Sequence, residues 1–397
     1  MAELLKRITV LSLEQATVLP YLTFRLAQDG MRVIRLEQPG VGDPNRYVGD
    51  NVLGEERMNS YFLCINAGKE ALTLNLAEAE GRQLLGRLIV ELKVDIFCTN
   101  QLPKNYQKLG LDYQILKGYK PDLIWLGVTG FGPGRNEAAY DPILQARGGL
   151  MELTGEADGP PFVLGIPLPD MGTSEHAYGQ IYKALFLRQA TGQGCRIDLS
   201  MLDSTTSWLT VPITLSKTFG QKITRRGNTH QFFAPVSVYP TQDSFIYLAI
   251  GNDKQWASLV RLPGFEALDK PAYQKNSGRI ADVKNLNTKI SAITQTKTTA
   301  ELLSLLVQAG LAAAKIATIE EVTQDPYVAP NLLMSEDAKT GLRLSLAPPP
   351  VMTDFLKASG QRLSFPPRLG EHNQAIYRGE LGLEEKVLAD YKARGII

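Results

Sequence analysis

Residues 8–37 read ITVLSLEQATVLPYLTFRLAQDGMRVIRLE, and this stretch decides the fold. The run 8–13 is short and apolar, as a strand buried on both faces is. Residues 16–30 carry a helical texture that closes at Gly30. Residues 32–37, RVIRLE, return as a second strand. Strand, helix and strand within thirty residues make one βαβ unit, whose two strands lie parallel because the crossover brings the chain back to the same end.

The same alternation continues outward. ALTLNL (71–76), AEGRQLLGRLIVELK (79–93) and VDIFCTN (94–100) form a second strand–helix–strand set. In its helix Leu84, Leu85, Leu88 and Leu92 fall on one side. LDYQILKGY (111–119) and DLIWLGVTGFG (122–132) extend it further. Strands alternating with helices imply an α/β fold with a largely parallel sheet covered on both faces. After about residue 225 the texture changes. PVSVYPTQDSFIYLAIG (235–251) reads as two short strands around a turn, followed by helical segments at 254–262, 283–295 and 299–310, so a smaller α+β unit is expected. From about 327 the chain is rich in Pro and Gly and ends in a helical stretch. LAPPPVMTDF (346–355) reads as a stiff connector or edge segment. The expected division is 1–224 for a large domain, 225–325 for a small one, and 326–397 for a C-terminal return that completes the first.

Composition narrows the function. The 397 residues hold 42 Lys+Arg against 41 Asp+Glu, a formal net charge of +1, so total charge implies no polyanion partner and nucleic acid is not expected. Three cysteines (Cys64, Cys98, Cys195) lie far apart without a Cys/His cluster, which argues against a metal site and fits reduced thiols in a cytoplasm. The N-terminal charges stand too close to the apolar run for a signal peptide, and no stretch reaches the ~20 apolar residues of a membrane span. The turn after the first strand, EQATVLP, has no Gly-x-Gly-x-x-Gly, and no P-loop occurs. Readings built on NAD, FAD or P-loop ATP therefore lose their main support.

One acid stands out in GIPLPDMGTSEHAYGQIYKALFLRQATGQG (165–194). Asp170 follows two prolines and precedes a helical pattern that begins at Met171 and repeats through Tyr178, Ile181, Tyr182 and Leu185. On residue type, the leading expectation is a helix N-cap, with Thr173 and Ser174 as competing caps. If one of those caps the helix, Asp170 is free for chemistry. A carboxylate held against a thioester can attack it, forming a mixed anhydride and a thiolate without ATP. The helix dipole would favour its charged form.

Several ordered stretches then carry a resemblance: VIRLEQPGVGDPNR (33–46), NAGKEALTLNL (66–76), LIWLGVTGFGPG (123–134), YDPILQARGGLMELTGEADGPP (140–161), RQATGQGCRIDLSMLDS (188–204), AIGNDKQW (249–256) and RLGEHNQAIYRGELGL (368–383). Together, over nearly the whole length, they resemble the class III coenzyme A-transferases, the family of formyl-CoA transferase and carnitine CoA-transferase. The resemblance implies a Rossmann-like large domain with a smaller α+β domain, in an interlocked dimer that is either homomeric or built with a related subunit. It implies Asp170 as the nucleophile, which reverses the order set by residue type. It implies coenzyme A thioesters as substrates with no tightly bound cofactor, and a carboxylic acid as acceptor.

Carried over position by position, the CoA contacts implied are Gln15, Thr17 and Val18 after the first strand, Leu74, Asn75 and Leu76 at an adenine pocket, Asn100, and Lys108 facing phosphate. Tyr140 and Met201 fall near the thioester, and Arg46 is a candidate for phosphate or a substrate carboxylate. Departures matter. Relatives usually have Asp at 75, some have Arg where Gln38 and Pro39 stand, and the formate branch has a basic residue at Ala138 and a glycine-rich loop without a match near 215–255. Formyl-CoA and oxalate are therefore not assigned. Racemases of 2-methylacyl-CoA in this family have His where Tyr140 stands. Tyr, with a pKa of about 10, is a poor base for an α-proton near neutral pH. His176, on the helix after Asp170, reads as a helix-surface residue. The expected reaction moves CoA from succinyl-CoA to an alkyl- or arylsuccinate such as benzylsuccinate. The alternatives are a non-catalytic subunit of a heteromeric transferase or, further off, a racemase.

Overall fold

The computed structural model describes residues 2–397, in two compact units. The first comprises the chain up to Leu150, Val163–Gly220 and Tyr327–Ile397; the second comprises Met151–Phe162 and Gln221–Pro326.

The first unit is built on six parallel strands: β1 (Thr9–Leu13), β2 (Arg32–Glu37), β3 (Lys69–Thr73), β4 (Ile96–Thr99), β5 (Ile124–Thr129) and β6 (Cys195–Ser200). Their order is β3-β2-β1-β4-β5-β6. The main helices between them are α1 (Val18–Gln28), α2 (Ala79–Glu91), α3 (Asp141–Arg147) and α4 (Leu168–Thr191), with α5 (Met201–Ser207) directly after β6. Successive strand residues alternate between two cores, as a pleated strand requires. Val10, Val33, Ile96, Ile124 and Leu126 pack with Leu22 and Leu26 of α1 and Ala177 and Ile181 of α4. Leu11, Ile34, Phe97 and Trp125 pack on the opposite face with Leu84, Leu85 and Leu88 of α2.

The expected strands and helices of 8–37 are present. β3 is displaced: it begins at Lys69 and ends at Thr73, not at 71 and 76. Its polar start does not fit an apolar pattern: Lys69 is buried with its ammonium paired to Glu14 and donating to Pro20 O and Asn66 Oδ1. Beyond Thr73 the backbone bonds elsewhere, Leu74 N–H to Glu37 O and Asn75 N–H to Ile396 O, both 2.8 Å. The outer edge of β3 is covered by the C-terminal stretch: His372 and Asn373 bond the backbone of Ala71 and Thr73, and the Tyr377 hydroxyl donates to Thr73 O. A parallel sheet edge protected in this way does not present a free ladder for aggregation. Gly81 lets α2 approach the preceding turn, where a Cβ would stand 1.9 Å from Asn75 O. A small sheet of three strands, Leu333–Glu336, Arg343–Leu346 and Arg362–Leu363, lies in the same unit; the apolar reading of 327–397 did not resolve it.

The second unit has an antiparallel sheet of Val236–Pro240, Phe245–Ala249 and Ala312–Lys315, the first two being the strands expected around the turn. Helices Asp253–Leu259, Val283–Thr294 and Thr299–Gln308 bury Trp256, Leu286, Ile290, Leu302 and Leu306 against it. The segment 151–162, read from sequence as part of the large domain, clusters here. The Gly227 N–H donates to Gly155 O at 2.9 Å, and Arg225 bonds Glu152 (2.8 Å) and Gly159 O (2.9 Å).

Candidate functional site

The strand order reverses between β1 and β4, and the carboxyl ends of these strands open a crevice of the kind where α/β sheets take ligands. After β1 the chain turns sharply at Ala16, whose φ of 61° is left-handed. A non-glycine residue there needs its neighbours to hold it. Asp43 Oδ1 accepts from the Ala16 N–H (3.1 Å), and Asn45 Nδ2 donates to Ala16 O (2.5 Å). Asn100, just past β4, brackets the preceding residue: its Oδ1 accepts from Gln15 N–H (3.2 Å) and its Nδ2 donates to Gln15 O (2.8 Å). Gln15 is thus fixed at the junction of two cavities that both include Gln15 and Gln101 in their walls.

The first cavity, about 190 Å³, is walled by Leu13, Leu36, Leu74, Leu76 and Leu109 above the carboxylates of Glu14, Glu37 and Asp43. Those carboxylates belong to a buried cluster with three cations. Lys69 meets Glu14 (3.0 Å), Arg35 meets Asp43 (2.8 Å), and Arg46 meets both oxygens of Glu37 (2.7 Å each). Burial holds the Lys69 ammonium down to about 8. Charges removed from water this completely require pairing. Arg46 is fully buried, and it also donates to Arg57 O and Pro367 O. This corrects the expectation that Arg46 faces a phosphate or a substrate carboxylate: its guanidinium is committed to Glu37 and has no accessible surface.

The second cavity, about 360 Å³, contains Gln15, Val18, Asn100, Tyr140, Met201 and Asp170. Asp170 lies in the first turn of α4, not at its cap. The cap position is Pro167, which makes no side-chain cap bond, and Pro169 occupies the first turn, where its missing N–H costs nothing. Thr173 and Ser174 do not cap either; their hydroxyls donate back to Pro169 O and Asp170 O, and Ser174 also donates to Val18 O. The capping expectation for all three residues is therefore corrected. The Asp170 N–H donates to Asp141 Oδ2 at 3.2 Å. Its own carboxylate has no hydrogen-bond partner among the described residues.

Burial, and next the Asp141 carboxylate, push the Asp170 carboxyl up to about 7. The helix dipole, expected to favour the anion, is outweighed by desolvation. Burial also raises Asp141, while donors from Gln145 and the Asp170 N–H act against that rise. Asp141 and Gln145 are site residues that residue type alone does not single out. The signal in the sequence is that Asp141 adjoins Tyr140.

The remaining expected contacts divide. Leu74 and Leu76 line the first cavity, whereas Asn75 lines neither: its side chain bonds Gly395 O and the Ala77 N–H. Thr17 is buried, its hydroxyl 2.9 Å from that of Tyr61. Lys108 is exposed and lines neither cavity, although its neighbour Leu109 does. Tyr140 is 73% exposed. His176 is not a plain surface residue; it bonds Ser204 Oγ (2.7 Å) and stacks on Trp208. Among the described residues no group of three or more His, Cys, Asp or Glu is placed to hold a metal, and no helix is long and apolar enough to cross a membrane.

Comparison with known proteins gives a consistent picture. The model of CoA-transferase family III matches residues 5–373. The succinyl-CoA:glutarate CoA-transferase of Mus musculus is 30% identical, over 99% of this chain and 90% of its own. The succinate–glutarate CoA-transferase of Agrobacterium fabrum is 32% identical over 94% of each chain. The crystal structure of a CAIB/BAIF family protein from Brucella suis superposes with a TM-score of 0.83 at 30% identity, covering 94% of this chain and 98% of that one.

Proposed function

The chain belongs to CoA-transferase family III, and on that premise we propose that it moves coenzyme A from succinyl-CoA to a substituted succinate, with Asp170 as the nucleophile. The observation that carries the reading is the state of Asp170: a half-buried carboxylate facing a cavity, with no hydrogen bond to it among the described residues. Partly removed from water, such a group is a stronger nucleophile than a fully solvated one, and the helix backbone holds it in place for attack.

The steps balance as follows. An Asp170 oxygen attacks the thioester carbonyl carbon, the C–S bond breaks, and CoA leaves as thiolate, giving a mixed anhydride. The thiolate then attacks the Asp170 carbonyl, releasing the donor acid and leaving an aspartyl-CoA thioester. The acceptor carboxylate attacks that thioester, forming a second anhydride and a second thiolate. Attack of this thiolate on the acceptor's acyl carbon yields the new acyl-CoA and restores Asp170.

The leucine-walled cavity would take the adenine end of CoA, with Gln15 and Asn100 at the passage and Val18, Tyr140 and Met201 beside the thioester. The second cavity offers an apolar side of Val18, Leu102, Val128 and Met201, which suits an alkyl or aryl substituent such as that of benzylsuccinate. Among its described lining residues there is no lysine or arginine, so the side-chain amides of Gln15, Gln101 and Asn105 are the donors open to a remote carboxylate. The relatives' names pair succinyl-CoA or succinate with glutarate or mesaconate, which supports succinyl-CoA as donor and a dicarboxylic acid as acceptor. Tyr140 at the position of the racemase histidine weighs against proton abstraction. The Rossmann-like description of the large unit, an interlocked dimer of like or related chains, and a cytoplasmic setting belong to the same proposal.

The test is an exchange assay with the purified chain, alone and mixed with candidate partner subunits. Succinyl-CoA is supplied with benzylsuccinate, glutarate or mesaconate, and CoA thioesters are separated by mass. A new acyl-CoA with matching succinate release supports the reading. Exchange that persists in Asp170→Ala would refute it. Exchange that occurs only with a partner, and survives Asp170→Ala, would assign this chain a non-catalytic role.

A further inference from the structure

Of the three carboxyl groups that line the second cavity, Glu137, Asp141 and Asp170, the last two adjoin each other but differ in bonding. Asp141, at the start of α3, is buried, and both of its oxygens accept: Oδ1 from Gln145 Nε2 at 2.6 Å, Oδ2 from the Asp170 N–H at 3.2 Å. Gln145 is in turn buried and fixed, its Oε1 accepting from the Leu164 N–H at 2.9 Å. Asp141 and Gln145 therefore tie the approach segment 164–170 to α3. Donors stabilise a carboxylate's charged form, so Asp141 is the member of the pair equipped to stay anionic. Asp170 has no such donor among the described residues, so the shared proton goes to Asp170.

From this asymmetry we infer that Asp141 is a positioning residue whose fixed negative charge drives the acylation of Asp170. The inference rests on the reading of Asp170 as nucleophile. When Asp170 attacks a thioester, its negative charge moves to the departing thiolate and the aspartyl group becomes a neutral anhydride. The repulsion between the two carboxylates is then relieved. The charge of Asp141 raises the free energy of the state before attack and leaves the neutral acyl-enzyme largely untouched, which lowers the barrier. The same residue orients the nucleophile through the Asp170 N–H.

The other titratable groups of the cavity are Glu137 and Tyr140, both on the segment that leads into α3. The lining parts of β5, of the β1–α1 turn, of the 100–105 segment and of α5 carry none among the described residues. Farther along α4, Glu175 is paired with Arg25 of α1, and His176 is bonded to Ser204 of α5. Asp141 is thus the charge that acts on Asp170 through a direct hydrogen bond to its backbone.

The experiment uses the full-length protein with Asp141→Asn, and Asp141→Ser as a second neutral variant should the first not fold. Two quantities are followed against pH from 5 to 9. The first is the titration of Asp170 in the free protein, by isotope-edited infrared or 13C NMR of labelled Asp, with Asp170→Asn assigning the signal. The second is the single-turnover rate of covalent adduct formation with succinyl-CoA. Removing the charge is expected to move the Asp170 titration and the acid limb of the rate to lower pH by roughly one unit. At pH 8 the rate falls, by up to roughly tenfold, while near pH 6 the variant loses less because more of its Asp170 is ionised. A variant that is slower by the same factor at every pH, with the titration unmoved, overturns the inference and leaves Asp141 a structural clamp. Wild-type protein that forms no adduct, in the presence of any required partner, overturns it together with the nucleophile reading.

Discussion

Replacing Asp170 with Asn should stabilise the folded protein above neutral pH. In the folded state the carboxyl takes up its proton at about 7, against an ordinary 3.8. Between these values the folded chain retains a proton that the unfolded chain has released, so stability falls as pH rises through that window. Below about pH 4 both states are protonated and the penalty disappears. At about 1.4 kcal/mol per pH unit, the full span amounts to roughly 4 kcal/mol at pH 8. Water reaching the half-buried side chain reduces it to about 2 kcal/mol. Asn keeps the shape and the backbone bond to Asp141 but carries no charge, so the variant escapes the penalty. Urea unfolding of wild type and Asp170→Asn at pH 4, 6 and 8 measures this directly. The two proteins should match near pH 4 and diverge progressively, the variant being more stable at pH 8. Parallel stabilities across the range would refute the reasoning, because they would mean that Asp170 is solvated or hydrogen-bonded as an ordinary surface acid.

Other consequences follow from the same geometry. Asn100→Ala removes both bonds that bracket Gln15 and should raise KM for the CoA donor about tenfold with a smaller change in kcat, read from initial rates. Glu37→Gln leaves Arg46 and Arg35 short of a buried partner and should cost about 3–5 kcal/mol of stability in denaturant unfolding, a larger loss than a surface pair would give. Gly81→Ala places a Cβ against Asn75 O; α2 must shift, and a loss of about 1–3 kcal/mol is expected in the same assay.

The parts of the fold legible in the sequence are those where burial and apolarity coincide. β1, α1 and β2 are apolar because both sheet faces are covered, and their pattern declared them. β6 was not recognised as a strand. It is one of the two edge strands of the sheet, its residues from Cys195 to Leu199 alternate between half-buried and exposed, and Arg196 and Asp198 pair with each other on it. The start of β3 was missed because its first residue is a lysine, and no apolar pattern can anticipate a lysine neutralised by an acid 55 positions away. The same limit governs the site. Arg46 reads as a free cation because nothing in the sequence pairs it with Glu37, nine positions earlier at the end of β2. Residue preference points Asp170 to a cap that the helix does not use. Its environment depends on Asp141, 29 positions earlier, and on how the loop of prolines brings the two together.

The central claim is that Asp170 becomes covalently acylated. The most direct measurement is the mass of the peptide containing Asp170 after the protein, with any required partner, is mixed with succinyl-CoA, quenched and digested, with hydroxylamine or borohydride trapping in parallel. The account predicts a CoA-sized adduct or trapped derivative on Asp170 that is absent from Asp170→Ala. An unmodified Asp170 peptide during demonstrated turnover would contradict it.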